Sequence, residues 1–293
     1  AVPAAEMADV KAAAEKTASY VLEAVPEPTV GSIGGEWAVL ALSRGGWPSS
    51  QSWYEGYLQR LSDAFKEHGG VLSSTKYTEY SRVILALKSM GADVRSVGGY
   101  DLLTVLSDRS SVTRQGVNGV AWALIAAQAL DQCALYDTDA DGTVVPALDW
   151  YREEVLSAQL PSGGWSLAGR EPADADLTAM ALTALSPYQG VEAGVDSAIE
   201  AGLKCLAGIQ REDGSFGTPA NAESCAQVVM ALAELGKEQS LLTRSGKTPV
   251  DALLSFARPD GSFAHTAGGG ADQMATEQAL CALSALMRRS EGL

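Results

Sequence analysis

Polar side chains at the starts of apolar helices are the residues of this chain best placed to do chemistry. They are Glu79 and Arg82, Arg114 and Gln115, Asp174 and Asp176, Glu223 and Gln227, and Glu277 and Gln278. If these helices run parallel, the polar groups converge at one end of them. An apolar concave site with a few converging polar groups is the usual form of a ligand site. The alternative is a solvated rim of helix caps, and the sequence leaves both open.

Asp174 and Asp176 stand at the start of a helix that is apolar nearly all round. A carboxylic acid that its surroundings keep protonated can act as a proton donor. A carboxylate in the first turn of a helix can instead accept amide hydrogen bonds and meet the positive end of the helix dipole. Proton donation and capping are therefore the two alternatives for this pair.

Another acidic segment matches the first half of a calcium-binding loop; it consists of Asp137, Asp139 and Asp141, followed by Gly142. Alternate side chains in such a loop converge on a hard cation. The twelfth position is Leu148 instead of the usual bidentate glutamate. Calcium is thus a possible cofactor, and a solvated acidic turn is the alternative.

A repeat organises the elements that carry these residues. Turns with the sequences GGW (163–165), DGSF (213–216) and DGSF (260–263) are each followed by an apolar helix, and their aromatic residues lie 51 and 47 residues apart. A period of this size indicates helix pairs that bury their apolar faces by stacking on neighbours. We expect Trp165, Phe216 and Phe263 to fill the gaps between adjacent pairs.

The same alternation of one amphipathic and one apolar helix extends over the whole chain. The amphipathic segments are 5–24, 57–65, 100–106, 150–159, 195–210 and 249–257; the apolar ones are 35–46, 77–90, 114–134 and the helices that follow the three turns. Six such pairs with short links predict an all-α (α/α)6 toroid, in which the inner helices wall a central cavity. We expect a single domain over 1–293 that is part of a longer protein.

The composition excludes some partners. The formal charge is −15, from 36 acidic and 21 basic residues, without a basic cluster. Nucleic acid and anionic membrane surfaces are repelled by such a field. No apolar run approaches the ~20 residues of a membrane span. The first residues lack a signal peptide, but their small side chains also suit the start of a mature exported chain.

The four cysteines, Cys133, Cys205, Cys225 and Cys281, lie within apolar helical patterns and show no CxxC spacing. Buried free thiols are the default expectation. A disulfide between Cys205 and Cys225 is geometrically conceivable, because these residues lie on the helices before and after the first DGSF turn.

The last three repeats resemble the α/α toroids of the terpenoid cyclase and protein prenyltransferase superfamily. They read DADLTAMALTALSPY (174–188), ESCAQVVMALAELG (223–236) and MATEQALCALSALMR (274–288). Within the superfamily they are most similar to repeats of bacterial cell-surface proteins. The resemblance implies a toroid fold and a secreted or surface-displayed bacterial protein, but one superfamily hosts unrelated chemistries.

Two enzyme branches of the superfamily can be compared residue by residue. In class II terpene cyclases an acidic DxDD motif protonates an alkene; here it reads Asp174-Ala175-Asp176-Leu177, so its last acid is lost, and Asp176 falls at the proton donor. The aromatic candidates for the cavity are Trp37, Tyr80 and Trp122. Protein prenyltransferases bind zinc through an Asp-x-Cys pair and a histidine. Glu223, Cys225 and Gln278 stand at those positions, so the resemblance makes zinc unlikely.

The third branch consists of cobalamin carriers, which combine a six-pair toroid with a small β domain that covers the ligand. That β domain is absent from this sequence, so an accessory domain is expected to be missing. The resemblance therefore implies a small apolar or corrinoid-like ligand, or another protein, as the partner.

Together these observations predict a non-catalytic ligand-binding or interaction domain with its site at the polar mouth of the cavity. The predicted ligand-binding residues are Tyr80, Arg82, Arg114, Trp122, Glu223, Gln227, Glu277 and Gln278. The alternative is a terpene-cyclase-like enzyme that protonates a polyprenyl substrate with Asp176, supported by Asp174.

Overall fold

Two layers of helices make up the computed structural model, which describes residues 4–47, 50–130, 136–138 and 144–293, and side chains within 7–47, 50–130 and 148–293. The inner helices are α2 (Trp37–Gly45), α4 (Thr78–Ser89), α7 (Gly116–Ala129), α9 (Ala175–Leu185), α11 (Ala222–Glu234) and α13 (Gln273–Ser290). The outer helices are α1 (Ala4–Ala24), α3 (Gln51–Glu67), α5 (Leu103–Leu106), α6 (Arg109–Val112), α8 (Ala147–Ser157), α10 (Ala193–Ile209) and α12 (Pro249–Leu254). The all-α prediction is confirmed.

The inner helices close into a ring. Within the described residues, α2 contacts α4, α4 contacts α7, α7 contacts α9, α9 contacts α11, α11 contacts α13, and α13 returns to α2. The outer helices cover this ring; α8 packs on α7, α10 on α9, α12 on α11, and α1 on α13. This arrangement is the predicted (α/α)6 toroid.

Hydrogen bonds between neighbouring inner helices show that they run parallel. The Thr78 N–H at the start of α4 donates to Gln115 Oε1 just before α7, at 3.1 Å. Gln128 Nε2 near the end of α7 donates to the Ala184 carbonyl near the end of α9, at 3.0 Å. The starts of the inner helices therefore lie at one end of the ring, which we call the mouth.

The last three inner helices begin in the same way. The side chains of Asp174, Asn221 and Asp272 each accept a hydrogen bond from the backbone N–H three residues further on. Such caps satisfy amide groups that have no partner within the helix. A cap of this kind typically contributes ~1 kcal/mol to stability.

Trp165, Phe216 and Phe263 are fully buried, as predicted for residues that join the repeats. The backbone N–H of each donates to the side chain four residues after the cap; the acceptors are Thr178 Oγ1 at 3.0 Å, Cys225 Sγ at 3.4 Å and Thr276 Oγ1 at 2.9 Å. The turn, the aromatic residue and the inner helix are thus fixed to one another by one repeated contact. Cys225 has the structural role that threonine has in the other two repeats.

Cys205, Cys225 and Cys281 are free thiols. The Cys205 Sγ lies 4.0 Å from Ser162 Oγ, whereas Cys225 faces the turn aromatic. The conceivable disulfide is therefore not formed, and the default expectation of free thiols holds for these three. Cys133 lies outside the described residues.

Two short antiparallel hairpins accompany the helices: β1 (Tyr136–Thr138) pairs with β2 (Val144–Pro146), and β3 (Phe263–Ala264) pairs with β4 (Ala271–Asp272). Among the described residues, no helix is both long enough and apolar enough to cross a membrane.

Candidate functional site

One partly exposed apolar side chain from each inner helix marks the central space of the ring. These lumen residues are Leu40, Leu85, Ile125, Met180, Met230 and Cys281. The residues directly before and after each of them are buried. Because outer helices cover the other side of the inner ring, the exposed atoms of the lumen residues border space inside the ring.

One helical turn nearer the mouth is a second, more polar layer: Trp37, Arg82, Trp122, Asp176, Gln227 and Gln278. Each precedes its lumen residue by three or four positions, so both lie on the same face of the helix. The Trp37 and Trp122 rings meet edge to face, with centroids 5.6 Å apart. Since α4 stands between α2 and α7, these two indoles meet inside the ring.

Gln227 and Gln278 connect α11 to α13 at this level. Gln227 Nε2 donates to Gln278 Oε1 at 3.1 Å. The two residues are only 6% and 7% exposed. The bond joins two predicted ligand-binding residues from different repeats.

Asp174 and Asp176 have different environments. Asp174 accepts from the Leu177 N–H at 2.7 Å and from the Leu167 N–H at 3.0 Å, so it is a helix cap. Asp176 Oδ1 is buried and has no hydrogen-bond partner among the described residues. Burial raises the pKa of Asp176, the Ser224 hydroxyl beside it lowers it, and the neighbouring acids raise it further. Asp176 is therefore a carboxyl group whose burial disfavours its charged form.

A fully buried carboxylate, Glu277, lies where α13 meets the loop before α2. Its oxygens accept from the Gly34 N–H at 3.0 and 3.2 Å, and Oε1 accepts from Gln273 Nε2 at 2.7 Å. Burial nevertheless raises the pKa of Glu277 to about 7, because these hydrogen bonds offset only part of the lost hydration.

Glu36 is a second buried carboxylate, and it lies in the loop directly before α2. The sequence analysis did not identify it as a site residue. Its Oε1 accepts from Tyr57 Oη at 2.9 Å and from the Gly31 N–H at 3.1 Å. Burial raises its pKa to about 7, while the Tyr57 hydrogen bond and the positive charge of Arg82 lower it. A glycine-rich segment directly before an apolar helix was the signal available for this residue.

The loop itself depends on glycine. Gly34 has a φ of +67°, which favours glycine. A Cβ at Gly35 would overlap the carbonyl oxygen of Thr29. The two glycines thus let the chain turn tightly enough to present the Gly34 N–H to Glu277.

Glu223 pairs with His265 at the start of α11. His265 Nδ1 lies 2.8 and 3.0 Å from the two carboxylate oxygens, and the His265 carbonyl accepts from the Ala222 N–H at 3.0 Å. Cys225 accepts from the Phe216 N–H, and Gln278 accepts from Gln227, at the positions compared with the zinc ligands of the prenyltransferases. Among the described residues, no three histidine, cysteine or acidic side chains are grouped as metal ligands would be.

Two predicted ligand-binding residues make their contacts elsewhere. Tyr80 packs against Phe65 of the outer helix α3, and its hydroxyl accepts from the Leu72 N–H at 2.8 Å. Arg114 donates to the Ser74 carbonyl at 2.7 Å and braces a loop. Tyr80 and Arg114 are therefore not part of the layer at the mouth.

The calcium candidate is only partly described. The backbone of Asp137 lies in β1, whereas Asp139 and Asp141 lie outside the described residues. Calcium binding at this turn stays a prediction.

Two outer cavities lie away from the mouth. One of about 200 Å³ is bordered by α1 and residues 257–261, and one of about 340 Å³ by α3 and residues 92–98. Neither is lined by a lumen or mouth residue.

Comparison with known proteins supports the fold. No protein-family profile and no curated protein matches the chain. A solved polysaccharide lyase is similar over 98% of this chain and 99% of its own, with a TM-score of 0.60 and 14% identity. The type II terpene cyclase MstE from Scytonema, in complex with its substrate geranylgeranyl dihydroxybenzoate, is similar over 98% and 99%, with a TM-score of 0.58 and 13% identity. A protein from Actinoplanes is similar over 96% of this chain and 99% of its own, with a TM-score of 0.58 and 17% identity. The chain therefore has the α/α toroid fold that the sequence predicted.

Proposed function

We propose that this chain is a non-catalytic domain that binds a small ligand at the mouth of the ring. The observation that carries the proposal is the layered lumen: apolar side chains from all six inner helices lie one turn below the mouth layer that includes Trp37 and Trp122. A ligand with an apolar body and a polar end matches such a layering. The partner is a small apolar or corrinoid-like molecule, and a protein surface is the alternative partner.

The chemistry of the lumen favours binding over a cationic cyclisation. The layer below the mouth consists of aliphatic and sulfur-containing side chains. A carbocation is stabilised by aromatic faces, and a protonated acid is needed to generate it from an alkene. The indoles of Trp37 and Trp122 are the aromatic groups that meet inside the ring, and they pack against each other.

A second function, a terpene-cyclase-like enzyme, is favoured by one observation on Asp176. Its Oδ1 has no hydrogen-bond partner among the described residues, and burial raises its pKa. A protonated Asp176 at the mouth could donate its proton to an alkene of a polyprenyl substrate that lies in the lumen. The likeness of the fold to MstE is compatible with this alternative, although at 13% identity it supports the fold alone.

One experiment separates the two functions. Native mass spectrometry of the full chain with geranylgeraniol and with cobalamin detects adducts, and gas chromatography of the recovered geranylgeraniol detects its isomers. For the binding function we expect an adduct and an unchanged ligand. A new cyclic isomer that is lost in Asp176→Asn and kept in Asp174→Asn would favour the enzyme.

The location of the site is tested with two tryptophan variants. Trp122→Ala removes a mouth indole, and Trp150→Ala removes an indole of the outer helix α8. We expect the adduct to weaken in the first variant and to persist in the second. An adduct that survives both substitutions equally would place the ligand outside the mouth.

The proposal also includes the cellular location. Because the last three repeats resemble those of bacterial surface proteins, we propose that the chain acts outside the cell. An antibody against it should label intact bacteria of its source; labelling only after permeabilisation would contradict this part.

A further inference from the structure

The amide groups of Gln227 and Gln278 have hydrogen-bonding capacity that the protein does not use. After the bond between them, Gln227 Oε1 and Gln278 Nε2 have no partner among the described residues. Which amide donates to the other does not change the outcome, because one carbonyl oxygen and one NH2 group stay free in either orientation. Both side chains are more than nine-tenths buried.

Buried glutamines elsewhere in the chain use their amides differently. Gln210 Nε2 donates to the carbonyls of Gly214 and Leu242, at 3.1 and 3.0 Å. Gln239 Nε2 donates to the Val229 carbonyl at 3.2 Å, and its Oε1 is buried without a partner among the described residues. The amides of Gln210 and Gln239 thus brace the backbone, whereas the only described bond of the Gln227–Gln278 pair is within itself. The pair therefore fixes no backbone segment, and its unused carbonyl oxygen and NH2 group, unlike Gln239 Oε1, are not sealed from the space around them.

The free groups of the pair face the lumen. Gln227 lies one turn above Met230 and Gln278 one turn above Cys281, both lumen residues on the same helix faces. Cys281 Sγ lies 3.9 Å from the Trp37 backbone carbonyl, so the wall continues from α13 to α2. An unused donor and acceptor thus lie side by side above an apolar layer.

We propose that the Gln227–Gln278 pair recognises a neutral ligand through a carboxamide group. The ligand's carbonyl would accept from the free NH2 group, and its N–H would donate to the free carbonyl, while its apolar body lies against Met180 and Met230. A carboxylate ligand is disfavoured, because it offers no donor and would lie near the acids of the mouth. The inference rests on the proposed function, since it assigns the chemistry of that site.

The test uses benzamide and three analogues of similar size. Acetophenone accepts hydrogen bonds but donates none, ethylbenzene neither accepts nor donates them, and benzoate is charged. The full chain is labelled with ¹³C in the methionine methyl groups. Met180 and Met230 report on the lumen, while Met7 on α1 and Met90 after α4 serve as controls. We expect benzamide to shift the lumen signals and to bind about two- to tenfold more tightly than acetophenone, as the one extra neutral hydrogen bond from its N–H allows.

Gln227→Met and Gln278→Met remove the polar atoms at nearly constant volume. Each is expected to reduce benzamide affinity. The variant that loses the free carbonyl should leave acetophenone binding unchanged, whereas the variant that loses the free NH2 group should weaken acetophenone as well. Gln239→Met, a buried glutamine outside the lumen, is the matched control and should change neither. Equal affinity for benzamide and acetophenone, or benzamide binding that is unaffected in both variants, would overturn the inference and leave the proposed function standing. If ethylbenzene, acetophenone and benzamide all fail to shift Met180 and Met230, the proposed function fails as well.

Discussion

Glu277 gives the most quantitative prediction, because it is a carboxylate with no exposure to solvent. We consider Glu277→Gln, which keeps the shape of the side chain and an oxygen that can accept from the Gly34 N–H. The substitution removes the charge that burial penalises. It also removes the like charge that faces Glu36.

The sign follows from the two states of the proton. The folded chain raises the pKa of Glu277 from 4.5 to about 7, so between these values it binds the proton more tightly than the unfolded chain. The contribution of Glu277 to the free energy of unfolding is therefore largest below pH 4.5, falls as the pH rises through 7, and stays constant above that. At 1.36 kcal/mol for each pKa unit, the loss is about 3 kcal/mol.

Urea unfolding followed by circular dichroism from pH 5 to pH 8.5 measures the effect. We expect Glu277→Gln to be more stable than the natural chain by about 3 kcal/mol at pH 8 and by much less at pH 5. Glu200→Gln, on the exposed face of α10, is the control and should stay within about 0.5 kcal/mol of the natural chain at all pH values. If the difference between Glu277→Gln and the natural chain did not depend on pH, the carboxylate would not be held in a desolvated site.

Three further substitutions test the structure by urea unfolding. Asp174→Ala removes the cap hydrogen bond from the Leu177 N–H and the bond from the Leu167 N–H in the preceding loop; it should cost about 1–2 kcal/mol, and an unchanged midpoint would argue against the cap. Gly35→Ala forces a Cβ onto the Thr29 carbonyl and should lower the stability at every pH, whereas Gly194→Ala, with open space around its Cβ, should not. Trp165→Ala empties a buried site that also binds the Val155 carbonyl, at 2.7 Å, and should cost about 3–5 kcal/mol; a loss below 1 kcal/mol would refute its role as a plug.

The repeats made the fold predictable. A buried aromatic residue after a glycine turn, followed by a capped apolar helix, appears three times in the sequence, and the structure forms each in the same way. Less regular segments were placed less well. The outer helix predicted over 100–106 forms only over 103–106, as α5, and a second short helix, α6, follows it at 109–112, because this part of the chain has no long amphipathic pattern.

The mouth was predictable only in part. The parallel inner helices bring Asp176, Gln227 and Gln278 to one end, as their positions at the helix starts indicated. Tyr80 lies two residues before Arg82, which places it about 200° away around the helix and turns it toward the outer layer. Glu36 was missed because its burial depends on Tyr57 and on the loop from Gly31, contacts that a local pattern does not reveal.

The closure of α13 on α2 has a consequence for how the protein comes apart. In an open stack of repeats the two end units have one neighbour each and fray first. Here α13 contacts both α11 and α2, so the last inner helix is flanked on both sides like the others. Detaching any inner helix from the ring requires two interfaces to separate together, and the inner-helix amides should exchange their hydrogens with solvent at similar, slow rates around the whole circle.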